Sequence, residues 1–379
     1  MDRLILTGAK VFDGTALLDG AVVVAEGRIA EIITQGEAGG GLPAGNRFDL
    51  RGGVLAPGLI DLQVNGGGGI MLDGTATVDR IATICAAHAR QGTTGLLPTL
   101  ITDTAAATRS VLAAGIAAVG RVPGFLGLHL EGPHIDPERP GCHPADLIRP
   151  MGEDDLAVLI EAKTGLPALM ITVAPAAVTP AQIAQLVAAG VVVSLGHAQA
   201  TQAQVQAAAQ AGARGITHLF NAMSPLGSRE PGMVGTALGL PLAAGLIADG
   251  IHVAPETMRL ALRLAGDRIY LITDAMAVAG TAMTEFQLHG RRILRQGGAL
   301  RLENGTLAGA DLTLPQAIRT LIGLGVAPER ALAMATSRPA ALIHARAGQI
   351  LPGLPADLVH FDADWQLARI WQAGRPVPT

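Results

Sequence analysis

Apolar runs of about five to seven residues recur through the middle of the chain, and each is followed by a longer Ala-rich stretch. Eight such runs lie at 59–64, 94–99, 125–130, 168–173, 191–195, 215–219, 243–248 and 269–273. A continuous apolar run fits a strand buried on both faces, and alternation with helical stretches builds βα units on a parallel sheet. Eight units close a barrel of about 250 residues. The pattern therefore predicts an α/β fold, a (β/α)8 TIM barrel over 57–344. Both ends of the chain differ from it: residues 1–56 and 345–379 hold short strand-like runs separated by Asp-Gly, Glu-Gly and Pro-Gly turns. Together they are expected to form one small β-sandwich domain. The Gly- and Arg-rich stretch at 281–307 reads as an insertion after the eighth strand, either a hairpin or a lid.

Composition narrows the partners. The net charge is -4, no basic block occurs, and only nine aromatic residues are present, which argues against a nucleic-acid binder. A small-molecule substrate is the default. No Asp, Glu, Lys or Arg falls between Lys163 and Arg214, yet Pro167, Pro175 and Pro180 break that stretch into strand and helix pieces. No membrane span is expected, because spanning takes about 20 continuous apolar residues. The first residues carry Asp2, Arg3 and Lys10 without a long apolar core, so a cytoplasmic location is expected. Cys85 and Cys142 are too few for a disulfide framework.

Four polar residues stand at or just past the ends of apolar runs. Glu131 closes LGLHLE, His197 closes VVVSLGH, His218 sits in GITHLF and Asp274 follows LIT. Each has a plain alternative: a salt bridge for Glu131, a hydrogen-bonded core histidine for His197 or His218, a helix N-cap for Asp274. In a parallel barrel, however, strand C-termini converge on one mouth. Two imidazoles and a carboxylate there make a three-ligand metal set with an open position, and the remaining carboxylate is placed to serve as general base and acid. The pattern predicts a metallohydrolase.

The segments PGLIDLQVNGGGG, LGLHLEGPHI, SLGHAQA, THLFNAMSPLGSREPG, ADGIHV and ITDAMAVAG resemble, in this order and over essentially the whole chain, the amidohydrolase superfamily. Within it they are most similar to the N-acetylglucosamine-6-phosphate deacetylase family. The resemblance implies hydrolysis of N-acetyl-D-glucosamine 6-phosphate to D-glucosamine 6-phosphate and acetate, in amino-sugar catabolism. Alternatives are the N-acetylgalactosamine 6-phosphate epimer, or another amidohydrolase acting on a linear or cyclic amide. A barrel that has lost its chemistry is disfavoured by the intact Glu131, His197, His218 and Asp274 set.

Superfamily members carry His-x-His at the end of the first strand, where this chain has Gln63 and Asn65, a degenerate second metal site. The bridging lysine is absent too, since Lys10 and Lys163 are the only lysines. The resemblance therefore implies one divalent ion per subunit on Glu131, His197 and His218, expected to be Zn2+, with Fe2+, Co2+ and Mn2+ as alternatives. It further implies that His143 polarises the substrate carbonyl beside the catalytic Asp274. Asn221, Ala222, Arg229, Asp249 and His252 would surround the sugar phosphate, and Cys142 with Leu307, Ala308, Gly309 and Ala310 would contact the substrate. The phosphate site would be completed across a homodimer interface. Cys142 departs from the family pattern, which has a small residue without a thiol there, and His134 replaces a bulky aromatic. His88, His289, His344 and His360 read as structural or surface residues.

Overall fold

The protein is described from a computed structural model over residues 3–34 and 42–378. Eight parallel strands follow one another in sequence order around a barrel: Leu59–Val64, Thr93–Ile101, Leu128–Glu131, Leu169–Val173, Val192–Leu195, Gly215–Ile216, Ala243–Leu246 and Ile269–Leu271. They fall where the apolar runs predicted them. A helix follows each strand, and several start on a Thr whose hydroxyl accepts from the third backbone N–H of the helix. Thr179, Thr201 and Thr313 complete capping boxes with Gln182, Gln204 and Gln316, the T-x-x-Q spelling visible in sequence. The apolar faces of strands and helices merge into one core running through the whole barrel.

The barrel is nearly closed. No continuous ladder joins the eighth strand to the first among the described residues; a single bridge, Val64 to Ala275, spans the seam. Buried Asp61 supplements it, accepting from the Thr273 hydroxyl at 2.5 Å, the Thr273 N–H at 3.1 Å and the Gln63 N–H at 3.1 Å. Burial pushes the Asp61 carboxyl up to about 7 even though those donors pull the other way. Lower in the barrel, a chain of polar side chains crosses the interior. His129 bonds the Leu62 carbonyl and Thr172, Thr172 bonds Thr217, and Thr217 bonds Ser194, each within 2.9 Å. Five strands are tied together by that chain one layer beneath the mouth.

The chain ends form a nine-stranded sheet with Leu358–Phe361 against Val54–Pro57, and Val54–Pro57 against Lys10–Phe12. Its long strand Leu17–Ala25 pairs with Lys10–Phe12 at its start and with Arg3–Thr7 at its end. The sheet thereby curls into a half-barrel whose two halves share a core of Leu6, Val11, Val22, Leu55, Leu358 and Trp371. Val54–Pro57 runs almost directly into the first barrel strand through Gly58, where a Cβ would lie 1.8 Å from Thr94 Oγ1. Only glycine fits that crossing.

Between the eighth strand and its helix Leu314–Gly323, the Gly- and Arg-rich stretch folds as a four-stranded antiparallel sheet: Glu285–Leu288, Arg291–Gln296, Ala299–Leu302 and Leu307–Ala310. Phe286, Leu288, Ile293 and Leu300 pack it onto Ile101, Cys142 and Met276 beside the mouth. Both cysteines are buried and unpaired. No helix among the described residues is long and apolar enough to cross a membrane.

Candidate active site

Glu131 is the last residue of the third strand, while His197 and His218 lie two residues past the fifth and sixth, and Asp274 three past the eighth. His197, His218 and Asp274 all adopt left-handed backbone, with φ of 45°, 30° and 53°. Non-glycine residues hold that conformation only where surrounding structure enforces it, and here it turns each side chain inward as the strand gives way to a loop. All four groups are buried.

Their donor atoms converge. Glu131 Oε1 lies 2.9 Å from His218 Nε2 and 3.2 Å from His197 Nε2, and the two imidazole nitrogens are 3.0 Å apart. The His197 Nδ1–H donates to the Arg139 carbonyl at 2.8 Å, which fixes the tautomer and leaves the Nε2 lone pair facing the centre. His218 Nδ1 is buried with no hydrogen-bond partner. A carboxylate oxygen and two imidazole nitrogens this close can hold a cation between them. Donor atoms about 2.0–2.2 Å from one ion in tetrahedral array lie about 3.4 Å apart, close to what is seen. Glu131, His143 and His197 form an overlapping group with ligand atoms within 4.8 Å of one another, so the cluster fits a single divalent ion.

His143 differs from the other two histidines. Its Nδ1 accepts from the Thr102 N–H at 3.3 Å and meets the Thr102 hydroxyl at 2.7 Å. An Nδ1 that accepts leaves the proton on Nε2, which makes His143 a hydrogen-bond donor toward the site. Burial, and then the neighbouring His197, hold it well below the usual imidazole range and therefore neutral. Glu131 is held well below the carboxylate range because His197 and His218 outweigh its burial. Asp274 is pushed up to about 6 by burial and by the charge of Glu131, and a cation would pull it back down.

Gln63 and Asn65 occupy the end of the first strand. Gln63 Nε2 donates to Glu131 Oε1 at 2.9 Å and to Asp274 Oδ1 at 3.3 Å; Asn65 Nδ2 donates to the same Asp274 oxygen at 2.6 Å. Asp61, Gln63 and Asn65 thus alternate onto the interior face of one strand, a period-two polar signal present in sequence whose first member the sequence reading passed over.

A cavity of about 390 Å³ opens above these groups. Its wall includes Asn65, Glu131, His143, His197, His218 and Asp274, and on the outer side Cys142, Asn221, Ala222, His252 and Leu307 to Gly309. Three expected contacts, Asp249, Arg229 and Ala310, are not in that wall. Gln63, expected only as part of the degenerate metal site, does not line it either, and Ala310 is backed into the structure by its N–H bond to the Asp274 carbonyl. Asp249 reaches the cavity only through His252, whose Nδ1 is 2.6 Å from its Oδ2. Arg229 sits on an exposed loop. Conversely, Arg139 was missed: it lines the cavity, its guanidinium is pinned by Gln199, and its carbonyl orients His197. The only sequence signal was its place four residues before His143. His88, His134 and His360 each bond a backbone carbonyl away from the cavity.

Residues 54–376 match the family model described as the amidohydrolase family. The chain belongs to the amidohydrolase family. It is a metal-dependent hydrolase acting on an amide C–N bond. An N-acetylgalactosamine-6-phosphate deacetylase of Shewanella sp. (strain ANA-3) is 41% identical over 334 residues, covering 86% of this chain and 84% of that protein. Another protein of that name from Escherichia coli O157:H7 is 37% identical over 332 residues, covering 85% and 87%. The solved structure of N-acetylglucosamine-6-phosphate deacetylase from Pasteurella multocida superposes on this amidohydrolase with a TM-score of 0.93 at 30% identity, covering 99% of each chain.

Proposed function

We propose that this amidohydrolase removes the acetyl group from an amino-sugar 6-phosphate, and that its substrate is N-acetylgalactosamine 6-phosphate. The observation that carries the reaction is the inward convergence of Glu131, His197 and His218 beside Asp274, at the floor of a cavity large enough for a small ligand. For the epimer, support comes from relatives of the galactosamine name at 41% and 37% identity, against 32% and 34% for relatives of the glucosamine name from Haemophilus influenzae and Danio rerio. That favours the alternative over the glucosamine reading drawn from the sequence motifs.

Glu131, His197 and His218 would hold the ion, and an N,N,O donor set suits Zn2+. His143 is the weaker candidate ligand because its Nε2 carries a proton. When bound, the ion supplies Lewis acidity, acidifying water and polarising the amide carbonyl. Asp274 takes the proton of the attacking water. The His143 Nε2–H donates to the carbonyl oxygen as negative charge develops there. Asp274 then returns the proton to nitrogen as the C–N bond breaks, releasing acetate and the amino sugar phosphate. His252, oriented by Asp249, and Asn221 would receive the phosphate end. Arg229, exposed and outside the cavity of its own chain, suits a phosphate contact in a neighbouring subunit of a homodimer. A cytoplasmic enzyme of carbohydrate breakdown would fit this substrate.

The test is acetate release from both 6-phosphate epimers and from unphosphorylated N-acetylgalactosamine, with bound metal counted in the same preparation. Preference for the galactosamine phosphate with about one ion per chain is expected. Preference for the glucosamine epimer would reverse the substrate assignment, and no release from any of the three would overturn the deacetylase reading.

A further inference from the structure

We infer that Gln63 and Asn65 are positioning residues that clamp Asp274 for proton transfer, an assignment that rests on the deacetylase reading above. Asp274 Oδ1 receives two amide N–H donors, from Asn65 at 2.6 Å and Gln63 at 3.3 Å, while Oδ2 takes no hydrogen bond from any described residue. A carboxylate whose one oxygen is doubly loaded loses rotation about its last bond, and its uncommitted oxygen becomes the basic one. That oxygen belongs to a residue in the cavity wall.

The same Gln63 amide donates to Glu131 Oε1 at 2.9 Å, so one NH2 group stands between two buried carboxylates that would otherwise repel. Backbone bonds hold the clamp in register: the Asp274 N–H donates to the Gln63 carbonyl at 3.1 Å, and the Asn65 N–H to the Ala275 carbonyl at 2.8 Å. The Asn65 amide has one allowed orientation, because the reverse would set two oxygens 2.6 Å apart. Its Oδ1 is buried and takes no hydrogen bond, so the side chain's polar contact to a neighbouring side chain is the one to Asp274. In the step itself, the water oxygen bonds to the amide carbon, its proton passes to Oδ2, and the proton moves to nitrogen as the C–N bond breaks. The clamp keeps Oδ2, rather than Oδ1, on that path.

The experiment compares the metal-loaded wild type with Asn65→Leu, Asn65→Thr and Gln63→Met, measuring kcat, KM, ions bound per chain and the thermal midpoint of the ion-free protein. Leu and Met approximate the side-chain volumes without a donor, whereas Thr keeps one. Expected for Asn65→Leu and Gln63→Met is a fall in kcat of about 10- to 100-fold, the cost of one hydrogen bond to a charged group, with KM and ion count unchanged. Asn65→Thr should recover part of the loss. Unchanged kcat, a rise in KM alone, loss of the ion, or equal loss in the Thr and Leu variants would overturn the clamp. If Asn65→Leu fails to fold, Gln63→Met alone decides by the same split. Failure of the wild type on every phosphosugar would instead sink the underlying reading, so the two failures are separable.

Discussion

His143 and His218 point different ring chemistry at the same centre, and removing each should therefore do different things. His218 is 2.9 Å from Glu131 Oε1, so His218→Ala is expected to empty the ion site. His143→Ala should keep the ion and lower kcat by about 10²- to 10³-fold, the usual effect of losing a donor to a developing oxyanion. Metal analysis of the two variants checks this, and the reverse pattern would exchange their roles. Asp274→Asn should retain the ion and lose about 10²- to 10⁴-fold in turnover, read by acetate release. The four strand-end residues were legible in the sequence because a polar residue closing an apolar run in a barrel has one place to go. Asp249, Ala310 and Arg139 were not legible in that way. Whether they reach the cavity depends on how the segments beyond the barrel strands fold back, which barrel-strand periodicity does not encode.

At the level of elements, the eight strands were readable from continuous apolar runs, and the Thr-x-x-Gln caps marked helix starts. The sheet at 285–310 was less so, because exposed Arg and Gly dilute its alternation; its large buried side chains Phe286, Leu288, Ile293 and Leu300 become visible only once the mouth supplies something to pack on. The seam between first and last strands depends on Asp61. Its folded carboxyl is raised from 3.8 to about 7, so between those pH values the unfolded chain loses a proton that the folded chain keeps. Stability from this group is thus full below about pH 4 and declines as pH rises to about 7. Asp61→Asn removes that dependence. Chemical denaturation at pH 4.5 and 7.5 should show the variant gaining on wild type at the higher pH; a constant difference would mean the carboxyl is ionised in both states. Asp61→Ala strips an acceptor from three buried donors and should cost about 2–4 kcal/mol at pH 4.5, with a smaller cost at pH 7.5.

At the scale of the whole molecule, the proposed homodimer makes a prediction that one chain alone does not. If Arg229 serves the neighbouring subunit, mixing inactive Asp274→Asn with weakened Arg229→Ala should regenerate intact sites in mixed dimers, and activity should rise above that of either variant alone. Additive activity would confine Arg229 to its own chain or remove it from the site.

The half-barrel sheet joins Val54–Pro57 to Leu358–Phe361, strands separated by some 300 positions along the chain. During synthesis the earlier strand leads straight into the barrel, yet its lateral partner leaves the ribosome only after all eight βα units. At about 5–20 residues per second, an open strand edge waits many seconds for its cover. Assembly of this enzyme is consequently sealed late, from the far end. Translation slowed or aborted before residue 358 should yield aggregates rather than partly active barrels.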